Sequence, residues 1–227
     1  MKKLLCLALA ALMLFSLAAC AQNSNETKTP DTQAPDTQVP DTTEAPETTE
    51  APAPAEVPTP AEIEAAIAAA LGEGYLATVD VPEEEIFLSP LGWLDLTKVK
   101  SYVAKQAQVT ALNMDAVVIA ECEEGYADEA VDQLNQSFAQ TVGYIRQYPF
   151  GVAKVENARI YKEGNTVMLI IAGANAGDDA DAEAEAKLAV AEYEKVDAAL
   201  KALFGAVPEN LAVIPEEGGS GGGLIGG

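Results

Sequence analysis

The period of the apolar positions changes several times along this chain, and each change predicts an element. In "TPAEIEAAIAAALG", Ile63, Ala66, Ile67, Ala70 and Leu71 fall on one helical face. Thr59 stands at the N-cap, Pro60 suits the first helical position and Gly72 stops the run. Residues 75–81 read as a short extended piece, and "VPEEEIFLSPLGW" as a helical turn followed by a loop. A second helix is expected from Asp95 to about Gln106, capped by Asp95, with Leu96, Val99 and Val103 facing inward. "NMDAVVIAEC" is the first strong strand, and Tyr126 to Gln147 returns to helical spacing through Ala130, Leu134, Phe138 and Ile145. "VENARIYKEGNTVMLIIAG" forms two β-rich runs around a Gly-containing turn, the pattern of a hairpin. A long helix from about Asp181 to Phe204 presents Ala189, Tyr193, Val196, Leu200 and Leu203, and "NLAVIP" reads as a last short strand.

From Met114 the order is β-α-β-β-α-(β). It predicts an α+β fold with an antiparallel-rich sheet and a ferredoxin-like β-α-β-β-α core, the N-terminal helices packed on it. The strands are apolar on both sides: Val117 and Ile119 point opposite to Val118 and Ala120, as Met168 and Ile170 do to Leu169 and Ile171. A two-layer fold leaves one sheet face wet and alternating. Either the second face is open to a partner or the helices expected at 61–71 and 95–106 cover it. Coverage is the expectation, since those helices need somewhere to bury their own stripes. The domain is placed at residues 61–215, with 216–227 a flexible Gly-rich tail.

The first sixty residues obey other rules. Met1-Lys2-Lys3 precedes an apolar run, Leu4 to Leu17, shorter than the roughly 20 residues of a membrane span but suited to a secretory signal. Leu17-Ala18-Ala19-Cys20 resembles a bacterial lipobox. In that motif the signal, here 1–19, is cleaved before the cysteine, and Cys20 becomes a lipidated first residue. Two acyl chains hold a membrane firmly where one holds marginally. Residues 20–60 carry the near-repeat "PDTQAPDTQVPDTTEAPETTEAP", which lacks large apolar side chains and predicts a disordered Pro/Thr/acid-rich stalk. At ~3.1 Å per residue its reach is on the order of 100 Å.

With Cys6 in the signal and Cys20 lipidated, Cys122 is left without an internal disulfide partner. The chain has 36 acidic and 13 basic residues. Loss of residues 1–19 removes Lys2 and Lys3 but no acid, taking the formal charge from −23 to −25. Such a chain does not suit nucleic acid or anionic headgroups.

Three pieces of the domain, "WLDLTKVKSYVAK", "NMDAVVIAE" and "VENARIYKEGNTVMLII", are similar to a family of uncharacterised lipoproteins from Gram-positive bacteria. That family is catalogued as domain of unknown function 4358, and the resemblance spans about residues 61–204. It implies an extracytoplasmic domain anchored at the surface, with no established activity.

The absence of histidine removes Ser-His-Asp and Cys-His activation and the usual zinc ligand sets. Cys122 lies beside Glu121, Glu123 and Glu124, which raise a thiol's pKa and weaken it as a nucleophile. The acids of "GDDADAEAEA" lack the order of a calcium loop and read as a helix start. No motif implies a cofactor or a metal. "GYIRQYPFG" gathers Tyr144, Arg146, Tyr148 and Phe150 at a helix end, a candidate platform for a sugar ring or a peptide. Trp93 joins that candidate patch, although a core plug is its first reading. The expectation is a non-enzymatic binding or accessory module on the outer face of the cytoplasmic membrane, meeting an envelope protein or cell-wall component. The alternative is an envelope hydrolase using a pair of carboxylates.

Overall fold

A computed structural model describes residues 57–108, 113–177 and 179–216, all within one compact unit. The expected signal 1–19, Cys20, the stalk up to residue 56, Asp178 and the tail from residue 217 lie outside the described residues. Among the described residues no helix is long and apolar enough to cross a membrane.

Helix α1, Pro60–Leu71, starts at the expected N-cap Thr59, which also forms a capping box with Glu62. Thr59 Oγ1 accepts from the Glu62 amide at 3.3 Å, and Glu62 Oε2 accepts from the Thr59 amide at 2.8 Å. Ile63, Ile67 and Leu71 form its buried stripe. Beyond a two-residue strand β1, Val79–Asp80, tight helical turns follow at Glu83–Leu88 and Pro90–Trp93.

The helix expected at 95–106 is not formed. Asp95 does cap, its Oδ1 accepting from the Thr97 amide at 3.1 Å, but over the single turn Leu96–Lys98. The chain then becomes strand β2, Val99–Gln106. Over so short a window three apolar residues fit either period, and β2 pairs along its length with β3, Ala116–Cys122. That backbone ladder outweighs a weak helical stripe.

Helix α2, Ala127–Ile145, leads through α3, Val152–Glu156, to a hairpin of β4, Arg159–Glu163, and β5, Thr166–Ile171. Helix α4, Ala182–Phe204, ends at Gly205 in the left-handed region. The five strands form one antiparallel sheet in the order β1-β2-β3-β5-β4. Antiparallel pairing of both β3 and β4 to β5 makes β3 and β4 parallel, joined by α2. "NLAVIP" is not a strand. It still closes the outer edge of β4, with Leu211 N donating to Ile160 O at 2.7 Å and Asn210 Oδ1 accepting from Ile160 N at 3.1 Å. The place beside β3 is taken by β2 instead.

Both faces of the sheet are covered over β3, β5 and β4, while the edge strand β1 and part of β2 stay exposed. Register sets Val103, Ile119, Met168 and Tyr161 in one cross-strand row, and Ala104, Val118, Leu169 and Ile160 in the next, on the opposite side. Tyr161 donates its hydroxyl to Asp197, and the Arg159 guanidinium lies 4.9 Å from the Tyr193 ring centroid, so α4 covers the first row. Helix α1 packs beside α4 and onto β2 and β3. Lys162 points the other way and pairs with Asp128 of α2, which covers the second row together with the Pro90–Trp93 turn. All six residues of β5 are buried. Five of the six, Val167 to Ile171, are apolar, as a strand roofed on both sides favours, and Thr166 at its start is the buried polar exception.

Candidate functional site

The region between α3, the end of β5 and the start of α4 holds the densest buried polar chemistry. Pro149 and Gly151 break the chain after α2, and Gly151 opens α3 with φ +80°, a backbone state suited to glycine. One turn later α3 carries Lys154 inward, only 6% exposed. Its Nζ donates to Asp115 Oδ1, to Asn175 Oδ1 at 2.5 Å and to the Gly173 carbonyl at 3.3 Å. Those three bonds use the whole donor capacity of an ammonium group.

Asp115 precedes β3, and its side chain is fully enclosed. Burial pushes its carboxyl up to about 6, against the opposing pull of the Lys154 charge. Its second oxygen, Oδ2, has no hydrogen-bond partner among the described residues. Tyr193 of α4 fastens the assembly from above. Its hydroxyl donates to the Lys154 carbonyl at 2.9 Å and accepts from the Ala172 amide at 3.4 Å. Glu192 Oε2 accepts from the Ala174 amide at 3.1 Å. Gly173 allows this close passage, since a Cβ there would stand 2.8 Å from that of Glu192.

A cavity of about 460 Å³ opens over this floor. Phe150, Lys154, Asn113, Asn175, Glu185 and Leu188 are among its walls, with several alanines between them. The volume falls within the ~300–1,000 Å³ of small-ligand sites. Glu185 supplies the carboxylate of the wall, and its Oε1 lacks a hydrogen-bond partner among the described residues. Asp115 does not line the cavity; its carboxylate is sealed beneath Lys154.

The residues proposed from sequence do not converge. Phe150 lines the cavity and is 48% exposed. Tyr144 and Tyr148 pack with their rings tilted and centroids 5.2 Å apart, Tyr148 donating to the Tyr144 hydroxyl at 3.0 Å, and neither lines the cavity. Arg146 is a clamp: Nε donates to Glu156 Oε1 at 2.7 Å and Nη1 to the Pro215 carbonyl at 2.8 Å. Trp93 belongs to the Pro90–Trp93 turn and is 37% exposed, so it is not the core plug its apolar neighbours suggest. Close to that turn, Ile86, Phe87, Leu96 and Tyr102 line a shallower hollow of about 380 Å³.

Cys122 is fully buried, and burial foremost, then Glu121, pushes its thiol up to about 11. In the acidic run, Asp181 is the N-cap of α4, its Oδ1 accepting from the Ala184 amide at 2.8 Å. Lys154, Asp115 and Asn175 were not signalled by any motif, and Glu185 was visible only within the acidic run read as a helix start. The one local hint is a lysine at an inward position between Val152 and Val155. No family model, no curated protein and no solved structure matches the chain.

Proposed function

We propose that the protein is a lipid-anchored extracytoplasmic binding module, held to the outer face of the cytoplasmic membrane through Cys20, with its ligand site in the cavity between α3 and α4. The lipobox-like Leu17-Ala18-Ala19-Cys20 and the stalk composition support the anchor, as does the resemblance to the Gram-positive family of domain of unknown function 4358. A ferredoxin-like kinship of the core belongs to the same proposal. The parallel placement of β3 and β4 around β5 supports it, while α2 and α4 on opposite sheet faces depart from a two-layer form.

One observation carries the binding reading. The strongest charges of the site neutralise each other in its floor, and Glu185 is the one described carboxylate in its walls. A wall of that kind receives a ligand, whereas carboxylate hydrolysis needs two acids facing one bond. The anchor is tested by fractionating cells that express the wild type and Cys20→Ala. Wild type is expected with membranes and the variant in the soluble fraction; equal membrane association overturns the anchor. The binding half is tested by thermal unfolding with a soluble cell-wall digest, where a ligand raises the midpoint. A midpoint that does not move at saturating digest counts against it.

A further inference from the structure

Resting on the reading of this cavity as a ligand site, we infer that its ligand is a neutral ring bearing hydroxyl and amide groups, of the N-acetylated hexose class. The polar groups in the wall decide this by what each has left to offer. Lys154 is the cation of the lining, and its three N–H donors are taken by Asp115, Asn175 and Gly173. An anion entering the cavity finds no free cationic donor among the described residues and stands near Glu185, in a chain of formal charge −23. Desolvating a carboxylate there goes without compensation.

Two amides remain. Asn175 Oδ1 is held by the Lys154 ammonium, a contact that only the oxygen end of the amide can make. Asn113 Oδ1 accepts the Asp115 backbone amide at 3.2 Å. In both side chains the NH₂ end is therefore the one left to donate. Glu185 supplies the opposite need, an acceptor oxygen without a donor. The wall thus asks for acceptors at two places and a donor at a third. Hydroxyl groups satisfy both from one atom type, and an acetamido carbonyl suits an Asn NH₂. An alkylammonium would answer Glu185 but leave two N–H donors facing a cation. Phe150 and Pro149 at the mouth, with Leu188 and Ala189 deeper, offer apolar surface to a ring face and a methyl group.

The test titrates the full chain in detergent with N-acetylglucosamine and, in parallel, with n-butylamine, acetate and alanine. Backbone amide resonances of Gly151, Asn175, Ala176 and Leu188 are followed. N-acetylglucosamine is expected to shift these four saturably. Phe150→Ala is expected to weaken it about fivefold, as befits loss of one aromatic contact. Glu185→Leu is expected to weaken it at least tenfold, as befits loss of a hydrogen bond to a charged group. Shifts from butylamine, acetate or alanine without shifts from the sugar overturn the ligand class but leave the cavity as a ligand site. Silence from all four probes overturns the cavity reading itself. Sugar-induced shifts unchanged in both variants place the sugar elsewhere and defeat the inference.

Discussion

Lys154 and Asp115 stand 39 residues apart in sequence and close an ion pair inside the protein, with side chains 7% and 0% exposed. The pair joins α3 to the entry of β3, and through Asn175 and the Gly173 carbonyl it also ties down the loop that follows β5. Three segments distant in sequence meet at one ammonium group.

Removing one partner should therefore cost more than removing both. Lys154→Met leaves the Asp115 carboxylate buried and uncompensated, a loss of about 3–5 kcal/mol. The double variant Lys154→Met with Asp115→Leu should recover most of it. Urea unfolding of the four chains of the cycle measures this, and a single variant costing under about 1 kcal/mol would contradict it.

The pH dependence has a definite sign. Asp115 titrates near 6 when folded, above its ordinary value of 3.8. Between those values the folded state binds more protons than the unfolded one, so this group's contribution to stability falls as pH rises toward 6 and is regained as pH drops toward 4. In Asp115→Asn, whose Oδ1 still accepts from Lys154, that contribution is absent. Its stability should accordingly climb more steeply than wild type between pH 4 and 6, as read from denaturant midpoints; parallel profiles would refute the assignment.

Cys122 should be inert in the native protein. A fully buried thiol pushed up to about 11 is almost entirely protonated at pH 8. A thiol reagent added to residues 21–227 should titrate no cysteine until denaturant is present, then one. Prompt labelling of the folded chain would show that the end of β3 is not sealed.

Gly173→Ala tests the seam between β5 and α4. At φ +131° an added Cβ is strained, and it stands 2.8 Å from Glu192 Cβ and 3.2 Å from Glu192 Cγ. A destabilisation of about 2–4 kcal/mol is expected, since both strain and overlap apply. A loss within a few tenths of a kcal/mol would mean that α4 yields freely.

At the other end of the domain, Thr59→Ala removes the N-cap of α1 and half of its capping box. The expected loss is ~1 kcal/mol in the unfolding free energy. Thr59→Asp should retain most of the stability, because its carboxylate can accept the same amide bond. An Asp variant as weak as Ala would argue against the cap.

Local signals were legible wherever a residue type has one physical use. Thr59 and Pro60 announce the start of α1, and Gly164 marks the hairpin turn. The 3.6-residue stripes of α2 and α4 and the two-sided apolar runs of β3 and β5 also needed nothing beyond the sequence. Those runs showed that both sheet faces are apolar, which left either a cover or a partner for the second face and made a cover the expectation. By itself the sequence determined the element types over most of the domain and the apolar character of both sheet faces.

Tertiary structure decided what covers each face and where the polar groups meet. Residues 99–106 became a strand because β3 offered a ladder, a non-local gain that no eight-residue window contains. Helix α4 went to the side opposite α2, and with α1 it closed the second face. The site followed from the same long-range packing. Phe150 was visible as an aromatic at a helix end, but its companions in the wall were not Tyr144, Arg146, Tyr148 or Trp93. They were Asn113, Asn175 and Glu185, which share the cavity wall with Lys154, and a charge pair 39 residues apart leaves no periodicity to read. Periodicity records which side of an element meets the core, because burial acts on each residue singly; partners across the core are chosen only when the elements are packed.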